Sequence, residues 1–209
     1  MKILCLGDSL TYGYGVPRKS TWVEIAAELT GHTLVNRGIS GDTSGGMLVR
    51  LRPSLLEIKP RAAIIMGGAN DIFVTGTDMQ ARANMTAMCH QCLAGGIWPI
   101  LGTQLPIHLE GLDPKWSQVT DYAATQKIFE EYHTWMRHFA KVFNFNVLDF
   151  WELFLPANLP GGKQADYYLD GLHTNAAGHK LMAEHLAARL PDCLVPSRPG
   201  KKRRTEVSL

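Results

Sequence analysis

Few architectures can accommodate the alternation that runs through this chain. Short runs with few polar side chains, Lys2–Leu6, Ala62–Met66 and Ile97–Leu105, are separated by longer segments whose apolar residues return every three or four positions. Two further short runs, Thr33–Asn36 and Phe145–Phe150, complete a β-α order repeated five times. A brief apolar run bounded by glycine reads as a strand buried on both faces. Such strands, when helices separate them, form a parallel sheet covered on both sides. Right-handed crossovers then leave few strand orders, the flavodoxin-like doubly wound one among them.

The helical segments carry their own signals. Thr21-Trp22-Val23-Glu24 has capping-box spacing and opens a helix with Trp22, Ile25, Ala26 and Leu29 on one face. Ser44 is expected to cap a helix bearing Leu48, Leu51, Leu55 and Ile58, kinked or split at Pro53. A third helix is expected over 78–94. A long fourth, 117–143, carries the stripe Ile128, Tyr132, Trp135, Phe139 and Val142, read as core. The last, Asn175–Leu190, is expected to stop at Pro191.

Composition narrows the class. Hydrophobic residues are 45% and charged residues 19%, with a net charge of +2 over 209 residues. That excludes a disordered chain, and it excludes a basic nucleic-acid binder as a reading of the whole protein. Residues 196–209 hold Arg198, Lys201, Lys202, Arg203 and Arg204 against Glu206 alone. They are expected to form a basic, flexible tail beside a single domain over 1–195. The apolar run after Lys2 is too short for a secretory leader, and no stretch suits a membrane span, so a soluble cytoplasmic protein is expected. The four cysteines form no disulfide framework. Cys89-His90-Gln91-Cys92 has ligand-like spacing but lacks a second pair, and reads as small side chains on a helix.

In a doubly wound sheet, ligands bind beyond the carboxyl ends of the strands. Four loops bring polar groups to that edge: Gly7-Asp8-Ser9-Leu10, Ser40-Gly41-Asp42, Gly68-Ala69-Asn70-Asp71, and Asp170-Gly171-Leu172-His173. A serine hydroxyl needs a base to act as a nucleophile, and histidine, which titrates near neutrality, is the usual one. Asp170 lies three residues before His173. On a turn, that spacing lets the carboxylate accept from ring Nδ1–H and leaves Nε2 to face Ser9. Acyl transfer also needs donors for the oxyanion. Candidates are the N–H groups of Ser9 and Gly41, where glycine suits close backbone approach, and the Asn70 amide. Asp8, Asp42 and Asp71 read as structural hydrogen-bonders. His179 and His185, on the last helix, read as packing or surface residues.

These four blocks, with Gly41 inside Ile39-Ser40-Gly41-Asp42-Thr43-Ser44, resemble the signature blocks of the GDSL, or SGNH, hydrolases, in the family's order. The resemblance covers Met1 to about Leu190. It implies a three-layer α/β/α sandwich around a five-stranded parallel sheet. It implies Ser9 as nucleophile, His173 as base, Asp170 as its orienting partner, and an oxyanion hole from Ser9, Gly41 and Asn70. No cofactor and no metal are implied. Within the family, Ile39–Ser44 followed by Arg50-Leu51 and Pro53 is similar to the bacterial thioesterase/lysophospholipase/arylesterase branch, from which the loop 106–120 departs. The substrate expected is a small acyl ester or thioester of short or medium chain. Ile107, Leu109, Leu112 and Trp116, with Trp151, Phe154, Leu155, Tyr167 and Tyr168, are candidate walls for its acyl group.

Two other functions fit the same residues. A metal-dependent phosphoesterase would gather Asp8, Asp42, Asp71, Asp170 and His173 as hard ligands. A non-catalytic binding module could use the same fold. The nucleophile elbow of the α/β-hydrolases, G-x-S-x-G, is absent.

Overall fold

A computed structural model describes residues 1–194. The predicted basic tail, 196–209, lies outside the described residues. Five strands form one parallel sheet: β1 (Lys2–Gly7), β2 (Thr33–Gly38), β3 (Ala62–Met66), β4 (Trp98–Gly102) and β5 (Asn146–Leu148). Their spatial order is β2-β1-β3-β4-β5, the flavodoxin-like order.

The inner strands β1, β3 and β4 are almost wholly apolar because both faces are covered. Alternate side chains divide between two cores. Leu4, Leu6, Ala63, Ile65 and Leu101 point to one, with α3 (Ser44–Ile58), α5 (Met79–Ala94) and α6 (Tyr122–Phe143). Ile3, Cys5, Ile64, Met66, Ile100 and Leu148 point to the other, with α2 (Trp22–Thr30) and α8 (Ala176–Cys193). These are the expected three layers. Each fully buried aliphatic side chain contributes about 1.5–3 kcal/mol over leaving it in water. Among the described residues no helix is long and apolar enough to cross a membrane.

Several element boundaries differ from expectation. The cap of α3 is Thr43, whose hydroxyl accepts from the Gly46 N–H, while Ser44 sits buried inside the first turn. That helix runs unbroken through Pro53, which lies on the exposed side, where water can hydrate a carbonyl that loses its amide partner. The long helix begins at Tyr122, capped by Asp121, and a separate 3-10 turn occupies Trp116–Gln118. Helix α8 continues through Pro191 to Cys193, because a proline in the last turn removes a single hydrogen bond. Two faces are rotated from their predicted positions. In α2, Val23 is buried and Leu29 is 55% exposed; in α6, Phe129 and Met136 are buried and Val142 is 58% exposed. The capping box of α2 is half made: Thr21 accepts from the Glu24 N–H, but the Glu24 carboxylate turns to Arg18. Three short helices were not anticipated: α1 (Ser9–Tyr12), α4 (Ala69–Thr75) and α7 (Phe150–Leu153).

Candidate active site

The strand order reverses between β1 and β3, with β2 beyond one and β4 beyond the other. The first two of these strands deliver Ser9 and Asn70 to the crevice outside their carboxyl ends. Ser9 is the first residue of α1. Its short turn follows β1 directly because Asp8 caps it, Oδ1 accepting from the Leu10 N–H at 3.1 Å. Two glycines make the turn fit. A Cβ at Gly7 would lie 2.1 Å from Thr11 Oγ1 and 2.6 Å from the Met66 carbonyl. A Cβ at Gly38 would lie 2.0 Å from the backbone N of Tyr12. Helix α1 therefore sits directly on the ends of β1 and β2.

The Ser9 hydroxyl meets His173 Nε2 at 2.9 Å, across 164 residues of sequence. His173 Nδ1 lies 2.9 Å from Asp170 Oδ2 and 3.1 Å from Oδ1. Asp170 Oδ1 also accepts from the N–H groups of Leu172 and His173, at 3.1 and 2.8 Å, and Oδ2 accepts from the Trp116 indole at 3.0 Å. Burial alone pushes the Asp170 carboxyl up. The hydrogen bonds from the His173 ring and backbone, with the indole bond, outweigh it and hold the group well below the usual carboxylate range. The geometry can thus pass a proton from hydroxyl to imidazole while an ionised carboxylate steadies the ring. Tyr14 packs against His173, ring centroids 4.3 Å apart.

Gly41 and Asn70 face the same cleft as Ser9 and His173. Gly41 has φ +78 and nothing within 4 Å of a built Cβ, so it is the left-handed backbone, not close approach, that calls for glycine. One Asn70 amide hydrogen goes to the Asp42 carbonyl at 2.9 Å, fixing the side chain and leaving its second N–H for a ligand. The cleft encloses about 160 Å³.

Of the nine predicted wall residues, Ile107 and Trp116 line the cleft. Leu109 is exposed; Trp151, Phe154 and Tyr168 are core residues; Leu112, Leu155 and Tyr167 pack against the cores. In their place stand Phe73 from the unanticipated α4, Tyr122 and Phe129 from α6, and Leu105, Pro106 and Leu172.

The remaining acids hold loops together. Asp42 pairs with Arg50, Nε to Oδ2 at 2.7 Å, and the same guanidinium donates to the Gly7 carbonyl at 2.7 Å and to the Arg37 carbonyl. Arg50 thereby ties the ends of β1 and β2, a role its sequence position did not reveal. Asp71 accepts from the Ser44 N–H and hydroxyl, at 2.8 and 2.6 Å. Two of the five ligands that a metal site here would need, Asp42 and Asp71, are therefore engaged elsewhere. Among the described residues the grouping with ligand-like spacing is His133, Asp149 and Glu152, and Arg137 reaches both carboxylates there, making it an ion-pair network. Cys89 and Cys92 lie on the buried face of α5, where burial pushes the Cys92 thiol to about 12. His179 is buried and accepts the Trp22 N–H at 3.3 Å, a packing role as expected.

Asp8 is the unusual group. It is 1% exposed, and its Oδ2 finds no hydrogen-bond partner among the described residues. Burial pushes its carboxyl from 3.8 up to about 6, with the Leu10 N–H and the His173 charge pulling the other way.

A hydroxyl, an imidazole and a carboxylate in line at the switch point of a doubly wound sheet, beside glycine and amide donors, is the arrangement of the serine hydrolases. The chain belongs to the GDSL-like lipase/acylhydrolase family, whose sequence pattern matches residues 5–181. It is similar to esterase TesA of Pseudomonas aeruginosa, 36% identical over 110 residues that make up 50% of this chain and 55% of that protein. It is similar to an arylesterase of Vibrio mimicus, 41% identical over 75 residues, 34% of this chain and 38% of that protein. The matched stretches thus span about half of these relatives or less. A crystal structure of TesA superposes with a TM-score of 0.70 at 26% identity, covering 93% of this chain and all of that one.

Proposed function

We propose that this protein is a serine hydrolase that cleaves carboxylic esters or thioesters of short to medium acyl chain through an acyl-enzyme on Ser9. The observation that carries this reading is the relay from Ser9 Oγ to His173 Nε2 at 2.9 Å and from His173 Nδ1 to Asp170 at 2.9 Å. His173 takes the hydroxyl proton as Ser9 attacks the carbonyl carbon. The oxyanion is held by the N–H groups of Ser9 and Gly41 and the second amide hydrogen of Asn70. His173 then protonates the departing alcohol or thiol. Water, giving its proton to His173, attacks the acyl-enzyme, and the acid leaves as the proton returns to Ser9. Asp170 keeps the ring in the tautomer that presents Nε2. The names of the relatives, esterase and arylesterase, agree with this chemistry. The small apolar cleft favours modest acyl chains.

The test is labelling by an organophosphonate ester, read by intact mass. The expected adduct sits on Ser9, is absent in Ser9→Ala, and forms equally fast in EDTA. Loss of p-nitrophenyl acetate hydrolysis in EDTA would point to the metal-dependent reading. Equal hydrolysis by wild type and Ser9→Ala would leave a binding module. Rates that still climb at palmitoyl length would refute the acyl-chain assignment.

A further inference from the structure

The loop 103–121, between β4 and α6, lies across the turn that carries Asp170 and His173. The His108 N–H donates to the Gly171 carbonyl at 2.9 Å, and the Asp113 N–H to the Asp170 carbonyl at 3.1 Å. The Tyr168 hydroxyl donates to the Pro106 carbonyl at 2.5 Å. Contact is so close that a Cβ on Gly171, itself at φ +83, would lie 2.6 Å from Leu112 Cα. We propose that this loop is a strap that positions the Asp170–His173 pair, and that Trp116 is its positioning residue, its indole N–H fixing the Asp170 carboxylate while its ring walls the cleft beside His173. The inference rests on the hydrolase reading above.

The argument lies in where the hydrogen bonds to Asp170 originate. The donors at Leu172 N, His173 N and His173 Nδ1 all belong to the same four-residue turn. They shape the turn but would move with it. Among the described residues, Trp116 Nε1 at 3.0 Å is the side-chain donor that ties the carboxylate to another part of the fold. A relay to Ser9 tolerates misplacement of only about 0.5 Å. The ring of Trp116 also stands 5.8 Å from that of His173, centroid to centroid, and lines the cleft. From outside, the Lys115 ammonium sits 5.0 Å from the indole centroid and pairs with Asp113 at 3.1 Å. One side chain therefore touches both the cleft and the carboxylate behind the base.

Two substitutions separate these roles. Trp116→Phe keeps a ring in the wall and deletes the donor. On p-nitrophenyl butyrate its kcat is expected to fall about tenfold, with KM within about twofold of wild type and the thermal midpoint unchanged. Trp116→Ala deletes the wall as well, and is expected to raise KM in addition. A purely structural tryptophan would instead lower the thermal midpoint and spare kcat in the folded fraction. A measurement on the wild type needs no variant: the Trp116 indole proton, identified by its proximity to the His173 ring in NMR spectra, is expected to resist deuterium exchange and to shift when Ser9 is phosphonylated. A wild-type kcat in folded Trp116→Phe, or an indole proton that exchanges like a free surface indole, overturns the proposal. Failure of the wild type to hydrolyse esters or to be labelled at Ser9 would instead refute the hydrolase reading.

Discussion

Replacing Asp8 with asparagine tests the electrostatics of the site without using its catalysis. Asparagine keeps an oxygen to cap α1 through the Leu10 N–H and removes the ionisable group. Moving a carboxyl from 3.8 to about 6 makes ionisation in the fold cost about 3 kcal/mol more than in the unfolded chain. Asp8 is 1% exposed, so little of this is lost to solvent screening. The sign follows from linkage. A raised carboxyl binds its proton more tightly when folded, so its contribution is fully present below 3.8 and is lost as pH rises through about 6. Wild type should therefore lose roughly 2 kcal/mol relative to Asp8→Asn between about pH 4 and about pH 7. Asp170 and Asp149, both held below the usual range, act in the opposite sense at lower pH and are common to both proteins. Urea unfolding of the two proteins across that window is the assay. Parallel stability profiles, constant within about 0.5 kcal/mol, would refute the argument that burial leaves Asp8 poorly compensated.

Asn70→Ala deletes one expected oxyanion donor and its tie to the Asp42 carbonyl; kcat on p-nitrophenyl acetate should fall by about two to three orders of magnitude, and a fall below about threefold would remove Asn70 from the hole. Gly38→Ala forces a methyl to within 2.0 Å of the Tyr12 backbone nitrogen, so α1 must shift. We expect about 1–3 kcal/mol of destabilisation, read as a lower thermal midpoint, together with a loss of kcat because Ser9 rides on α1. An unchanged midpoint would mean that the close contact yields freely.

The layers were legible because a parallel sheet covered on both faces leaves no polar positions inside it, as in Ala62–Met66. The four site blocks were legible because each directly follows a strand or sits on a turn rich in glycine. The walls of the cleft were not. Phe73 lies on a seven-residue helix too short to show a period, and Tyr122 and Phe129 belong to a stripe that serves core and cleft together. The rotation of α2 and α6 is not legible in the sequence, because the spacing of an apolar stripe does not tell Leu29 from Val23 as its edge. Pro53 does not split its helix and Pro191 does not stop its own, because the first faces water and the second lies in the last turn, and neither circumstance shows in the residues around a proline. Arg50 and Trp116 act at long range, and nothing in their local sequence announces the partners they reach.

The separation of 164 positions between Ser9 and His173 also governs when this pair can first form. As the chain leaves the ribosome, Ser9 stays without its imidazole partner until His173, 164 positions later, has also emerged. Helix α8 must then dock beside α2, whose first amide it receives through His179. A chain that stalls before His173 therefore lacks the Ser9–His173 pair altogether.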